Sequence, residues 1–233
     1  MNAAAHWGSM LYGASTWVLP VILAVTFHEA AHGFVAYRFG DDTARQAGRM
    51  TLNPFRHVDP LGTILLPALL LLLRAPFLFG YAKPVPVNFG RLRHPRRDMI
   101  WVALAGPGMN VLLAIVSSLL FYSVPWVSPQ PAEWIAENLV HSIQLNAVLC
   151  VFNMLPLPPL DGGRVAVGIL PRPLALPLAR LEPYGMMILL LLLFILPSVG
   201  AQIGIDLNIV GWLISEPTRA LIEFVLMVTG HGG

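Results

Sequence analysis

Charge is what this chain has least of: 11% of its 233 residues are Asp, Glu, Lys or Arg, and the formal net charge is only +2. A soluble domain carries roughly 25% charged residues, so too few remain here to solvate a globular surface. Lys83 is the one lysine. With no basic face interleaved with aromatics, nucleic acid is excluded as a partner. Cys150 is the one cysteine, which rules out an intrachain disulfide and a cysteine-rich metal site. It lies in an apolar run and reads as a packing residue. Residues 1–9 lack a basic n-region, so no cleaved signal peptide is expected. Internal repeats and low-complexity linkers are also missing.

What the chain does have is apolar residues, 56% of the total, gathered in long blocks. These blocks lie at about 11–37, 61–79, 99–124, 134–155, 184–196 and 207–228. Most approach the ~20 residues that a spanning helix needs. The expected fold is an all-α polytopic membrane protein with five or six transmembrane segments, its natural solvent a lipid bilayer. Segment 61–79 carries Pro67, Arg74 and Pro76, an awkward set for a straight lipid-facing helix.

Positive charges set the topology. Arg38, Arg45, Arg49 and Arg56 follow the first segment; Lys83, Arg91, Arg93, Arg96 and Arg97 follow the second; Arg164, Arg172 and Arg180 follow the fourth. If all six segments span, these clusters fall on opposite faces. If 61–79 dips in and returns, they fall on one face, which favours a re-entrant or extended element after the first helix and five full spans. Six full spans are the alternative. Trp7, Tyr12, Trp126, Trp134 and Tyr184 read as interfacial anchors.

The chemistry concentrates in His28-Glu29-Ala30-Ala31-His32, late in the first apolar segment. Side chains four apart share a helical face, so both imidazoles can reach one metal, and Glu29 can approach a water on it. Titratable groups at membrane depth are costly, which argues for function over a merely polar helix face. A zinc site of this kind takes a third protein ligand and leaves a position for water. Asp161 is the candidate, just after Pro156, Pro158 and Pro159 forbid a regular helix. It reads equally as the N-cap of a following helix. Both His32 and Asp161 lie a few residues before arginines of the same face; His32 is about 9 Å from Arg38 at helical rise.

His28-Glu29-Ala30-Ala31-His32 together with Leu160-Asp161-Gly162 resembles the site-2 protease family of intramembrane zinc metalloproteases. The stretch from Asn153 to Gly162 is similar to the family's fuller asparagine–proline–aspartate motif, and residues 51–62 and 105–110 look familial too. The resemblance covers roughly residues 25–170. It implies one zinc ion per chain on His28, His32 and Asp161, Glu29 as general base, and Asn153 as a donor to the oxyanion. It implies peptide-bond hydrolysis in transmembrane protein substrates, in a bacterial or archaeal cell membrane, with the site toward the cytoplasm. Many members carry a PDZ or CBS domain; at 233 residues a minimal form is expected. The whole chain is read as a single transmembrane metalloprotease domain, with a core at about 11–170 and further helices at about 178–229.

Other residues stay open. Segment 81–88, with Pro84 and Pro86, is extended with one free edge, and serves either as a clamp for an unwound substrate or as a plain connector. Asn110 lines the cavity or bonds between helices. His57 is a loop or cavity-facing group, and His94, His6, His141 and His231 read as interfacial or surface residues. A transporter would distribute charges along several helices, whereas Glu29 is the main mid-span acid here. A catalytically dead scaffold would lack Glu29 or a ligand. Substrate identity and oligomeric state are not legible.

Overall fold

The computed structural model describes residues 3–65, 69, 72 and 83–232. Among these the protein is all-α. Helix α1, Ala3–Arg38, is followed by the single turn α2, Thr43–Gln46. Then come α3, Pro95–Leu120, and α4, Pro129–Asn153. Two short helices follow, α5 at Asp161–Ile169 and α6 at Arg172–Ala179. The long helix α7 covers Glu182–Ile203 and α8 covers Ile209–Val228.

Among the described residues, four helices are long and apolar enough to cross a membrane: Gly8–Arg38, Pro95–Trp126, Pro129–Asn153 and Glu182–Ile203. They coincide with the apolar blocks at 11–37, 99–124, 134–155 and 184–196, so the chain is a polytopic helical membrane protein. The block at 207–228 forms a helix of 20 residues, but carries Glu216, Arg219 and Glu223, and Arg219 pairs with both acids. Of segment 61–79, only 61–65, 69 and 72 lie inside the described residues, so the re-entrant reading falls mostly outside them.

Helices α1, α3 and α4 form the central bundle, and α5 packs on α3. Their outward faces show Leu11, Val18, Leu112, Val140 and Val148, residues a bilayer solvates and water would not. The contacts between them are made by small and polar residues. Thr16, Ala24, Ala103, Ala114 and Ala147 are buried. Ser117 Oγ meets Ser142 Oγ at 2.7 Å, and Trp134 Nε1–H donates to Ser15 Oγ at 2.9 Å. Lipid offers helices no hydrophobic reason to associate, so close backbone approach and interhelical hydrogen bonds hold them together. At the far end Ser118 Oγ lies 2.7 Å from Thr229 Oγ1 and the Tyr122 hydroxyl donates to the Thr229 carbonyl at 2.8 Å, tying α8 to α3. His141 stacks on Trp17 with ring centroids 4.0 Å apart.

The end of α1 sets up the site. Gly40 takes φ +107°; its N–H bonds the Tyr37 carbonyl at 3.1 Å and that of Asp41 bonds the Ala36 carbonyl at 3.0 Å, the paired bonds of a Schellman stop. The turn buries Asp41 completely. Its carboxylate accepts from Thr43 N and Thr43 Oγ1 at 3.0 and 2.5 Å, and from Asn88 N at 2.7 Å. This last bond pins the strap of residues 83–88 along α1. The strap's other end is held by Lys83 N to the His57 carbonyl at 3.0 Å and by Arg49 Nη2 to the Lys83 carbonyl at 3.3 Å.

Replacing Asp41 by Ala removes one acceptor from three donors at a buried position. The expected loss is about 3 kcal/mol of stability, read as a lower unfolding midpoint in detergent, with faster amide exchange at Asn88.

Candidate metal centre

Four residues apart on α1, His28 and His32 turn the same way, and their Nε2 atoms stand 3.1 Å apart. Asp161, first residue of α5, brings Oδ2 to 3.3 Å from each of them. The three groups are 8%, 8% and 5% exposed, and their ligand atoms all lie within 4.8 Å of one another.

The imidazoles are oriented from behind. His28 Nδ1 lies 2.6 Å from Asn110 Oδ1. The Asn110 amide nitrogen is committed to Asn146 Oδ1 at 2.8 Å, so the Asn110 oxygen must accept and His28 Nδ1 carries the proton. His32 Nδ1 lies 2.7 Å from the Val102 carbonyl, which can only accept. Both rings thus present unprotonated Nε2 atoms to a cation in the centre. Asn146 is anchored in turn by donating to the Ser142 carbonyl at 2.8 Å.

Space for an ion is kept by Gly106 of α3. A Cβ there would stand 2.4 Å from His32 Nε2 and 2.6 Å from His28 Nε2, against the two nitrogens that face Asp161. Asp161 Oδ2 is buried and has no hydrogen-bond donor among the described residues. An orphaned carboxylate oxygen facing two imidazole nitrogens fits a divalent cation, and two nitrogens with one oxygen is a catalytic zinc donor set. Asp161 reaches this place because the prolines of residues 156–159 break the chain after α4. Gly162 then packs where a Cβ would meet the Met154 carbonyl oxygen at 2.2 Å.

The three residues open onto a cavity of about 530 Å³, which Glu29, Asn153, Arg164 and the strap residues Pro84, Val85 and Val87 also line. Glu29 Oε2 accepts from Val85 N at 2.7 Å. The Asn153 amide donates to the Leu149 carbonyl of its own helix at 2.9 Å, so it lines the cavity without pointing its donor into it. Asn110, fully buried, stands behind His28 and bonds between helices. His57 lies under the strap, its Nε2 2.9 Å from the Thr51 carbonyl. Residues 83–88 of the candidate clamp lie over the cavity; 81 and 82 are outside the described residues. Asn146 is not among the residues the sequence singles out; Gly106 enters there only within the stretch 105–110, and Arg164 only as one of the positive charges. An asparagine in mid-span was the available signal for the first.

Fold and site together define a polytopic membrane protein with a buried cluster of two histidines and one aspartate that could hold a metal ion. The chain is 41% identical over 184 residues to the Bacillus subtilis protein named "Putative zinc metalloprotease YwhC", covering 77% of this chain and 80% of that one. It is 32% identical over 196 residues to "Putative zinc metalloprotease Rip2" of Mycobacterium tuberculosis strain H37Rv, covering 82% and 70%. To the protein of that name in Mycolicibacterium smegmatis it is 30% identical over 141 residues, covering 60% and 52%. No family model and no solved structure matches. The chain belongs to the zinc metalloprotease family of these relatives.

Replacing Gly106 by Ala fills the centre, so zinc content measured by mass spectrometry is expected to fall to background while helical circular dichroism persists. Asn110→Ala leaves the ligands in place but releases the His28 ring; zinc affinity is expected to fall about 10- to 100-fold by chelator competition.

Proposed function

We propose that this protein is an intramembrane endopeptidase of the site-2 protease type, hydrolysing peptide bonds of transmembrane protein substrates. The observation that carries the reading is the convergence of His28, His32 and Asp161 with Glu29 on one cavity bordered by the spanning helix Gly8–Arg38.

His28, His32 and Asp161 would hold a zinc ion, which when bound would supply Lewis acidity toward a carbonyl and toward a water. Glu29 is the general base. Its carboxylate takes the proton of the attacking water and delivers it to the amine nitrogen as the peptide bond breaks. For this it exchanges the Val85 N–H for the water. Asn153, once turned from the Leu149 carbonyl, donates to the oxygen on which negative charge develops. Strap residues 83–88 hold an unwound substrate segment by main-chain hydrogen bonds; Pro84 and Pro86, lacking N–H groups, leave its donors at few positions. Apolar cavity walls from Val25, Phe152, Leu189 and Leu193 suit a substrate arriving from lipid. Arg38 and Arg164, each within a few residues of a ligand, support a site toward the cytoplasmic face.

The test compares wild type with Glu29→Gln on a panel of single-span substrates in liposomes, with zinc measured on both. Cleavage by wild type, at least 100-fold slower in the variant at equal zinc content, is the expected result (a general base contributes on the order of 10²–10⁴). Equal cleavage by both would remove Glu29 from the mechanism.

A further inference from the structure

Arg164 is a charged group in the cavity that the chemistry above does not use. It lies three residues beyond Asp161 on α5, so both side chains project from one face, and it lines the cavity beside the metal ligands. Two contacts fix its guanidinium. Nη2 donates to Glu182 Oε1 at 3.2 Å, at the start of α7. The guanidinium carbon stands 5.3 Å from the centre of the Phe89 ring, just beyond the strap.

Of the guanidinium's other donors, Nε is the informative one. Side-chain exposure is 32% overall, yet Nε is buried and has no acceptor among the described residues. A charged N–H shut away without an acceptor is costly. A strut between α5 and α7 accounts for Nη2 and leaves Nε unexplained. An acceptor that arrives with a ligand, and meets Nε–H as the guanidinium turns from Glu182 into the cavity, accounts for both.

We propose that Arg164 is a substrate-binding residue whose Nε–H donates to a main-chain carbonyl of the substrate segment beside the scissile bond. The assignment rests on the peptidase reading above. A main-chain carbonyl is present in every peptide, so the contact sets the register of the bound segment without selecting its sequence. Because it is made equally before and during reaction, it acts on KM more than on kcat.

Two probes separate this contact from the metal. Acetohydroxamate chelates the ion alone; a dipeptidyl hydroxamate adds main-chain carbonyls. Both are titrated against the zinc-loaded full chain in detergent, in wild type, Arg164→Lys, Arg164→Gln and Glu182→Gln. Lysine keeps the charge opposite Glu182 and loses the Nε donor; Glu182→Gln keeps the donor and loses the ion pair. The expected result is dipeptidyl hydroxamate bound about 10- to 100-fold more weakly by both Arg164 variants, acetohydroxamate bound as in wild type, and a smaller loss in Glu182→Gln. Acetohydroxamate binding also reports that each variant is folded. Arg164→Lys binding both probes like wild type, or Glu182→Gln losing as much as Arg164→Lys, overturns the proposal and leaves a strut. Wild type that holds no zinc and binds neither probe overturns the metal-centre reading, and this proposal with it.

Discussion

A polar group buried away from water must find its partner within the protein. The site obeys this constraint group by group. His28 is met by Asn110 and His32 by the Val102 carbonyl, Asn110 by Asn146, and Asn146 by the Ser142 carbonyl. Glu29 is met by a strap amide. The chain of amides leads away from the ligands into the contact between α3 and α4, so helix packing and ligand orientation are one structure. What it leaves unmatched is a carboxylate oxygen at the point where both imidazoles converge, and there a cation completes the count.

The same economy governs how close the helices come. α3 must approach α1 closely enough for a main-chain carbonyl to reach His32, and only a residue without a side chain tolerates that proximity at position 106. Glycine therefore has a chemical duty there: it sets the volume in which the ligands meet. α5 is brought in differently, by prolines that end α4 early and by a glycine that lets the returning chain pack against that break.

Much of this was legible in the sequence. Long apolar blocks announced the spanning helices, and four-residue spacing announced the shared face of His28 and His32. The proline-broken approach to Asp161 announced a chain able to turn inward. The sixth block looked like the others by length, but Glu216, Arg219 and Glu223 set its composition apart from the four spans. Asn110 was readable only as a polar residue between helices; which group it faces depends on the rotation of α3, and a periodicity does not fix rotation. Asn146 was less visible still, since its partner lies on another helix 36 residues away. Arg164 looked like one more positive charge in an Arg-rich loop, and only its half-satisfied guanidinium sets it apart.

The strap at residues 83–88 is gripped by two carboxylates of different kinds. Glu29 takes the Val85 amide within the cavity, and Asp41 takes the Asn88 amide at the end of α1. Surface connectors ordinarily accept an added residue at small thermodynamic cost. This one is measured off against a rigid helix at two fixed marks, so one residue more or fewer between Val85 and Asn88 releases the carboxylate of Glu29 or that of Asp41. Its length is therefore a ruled interval, and mutational freedom in this connector lies in side chains and not in residue number.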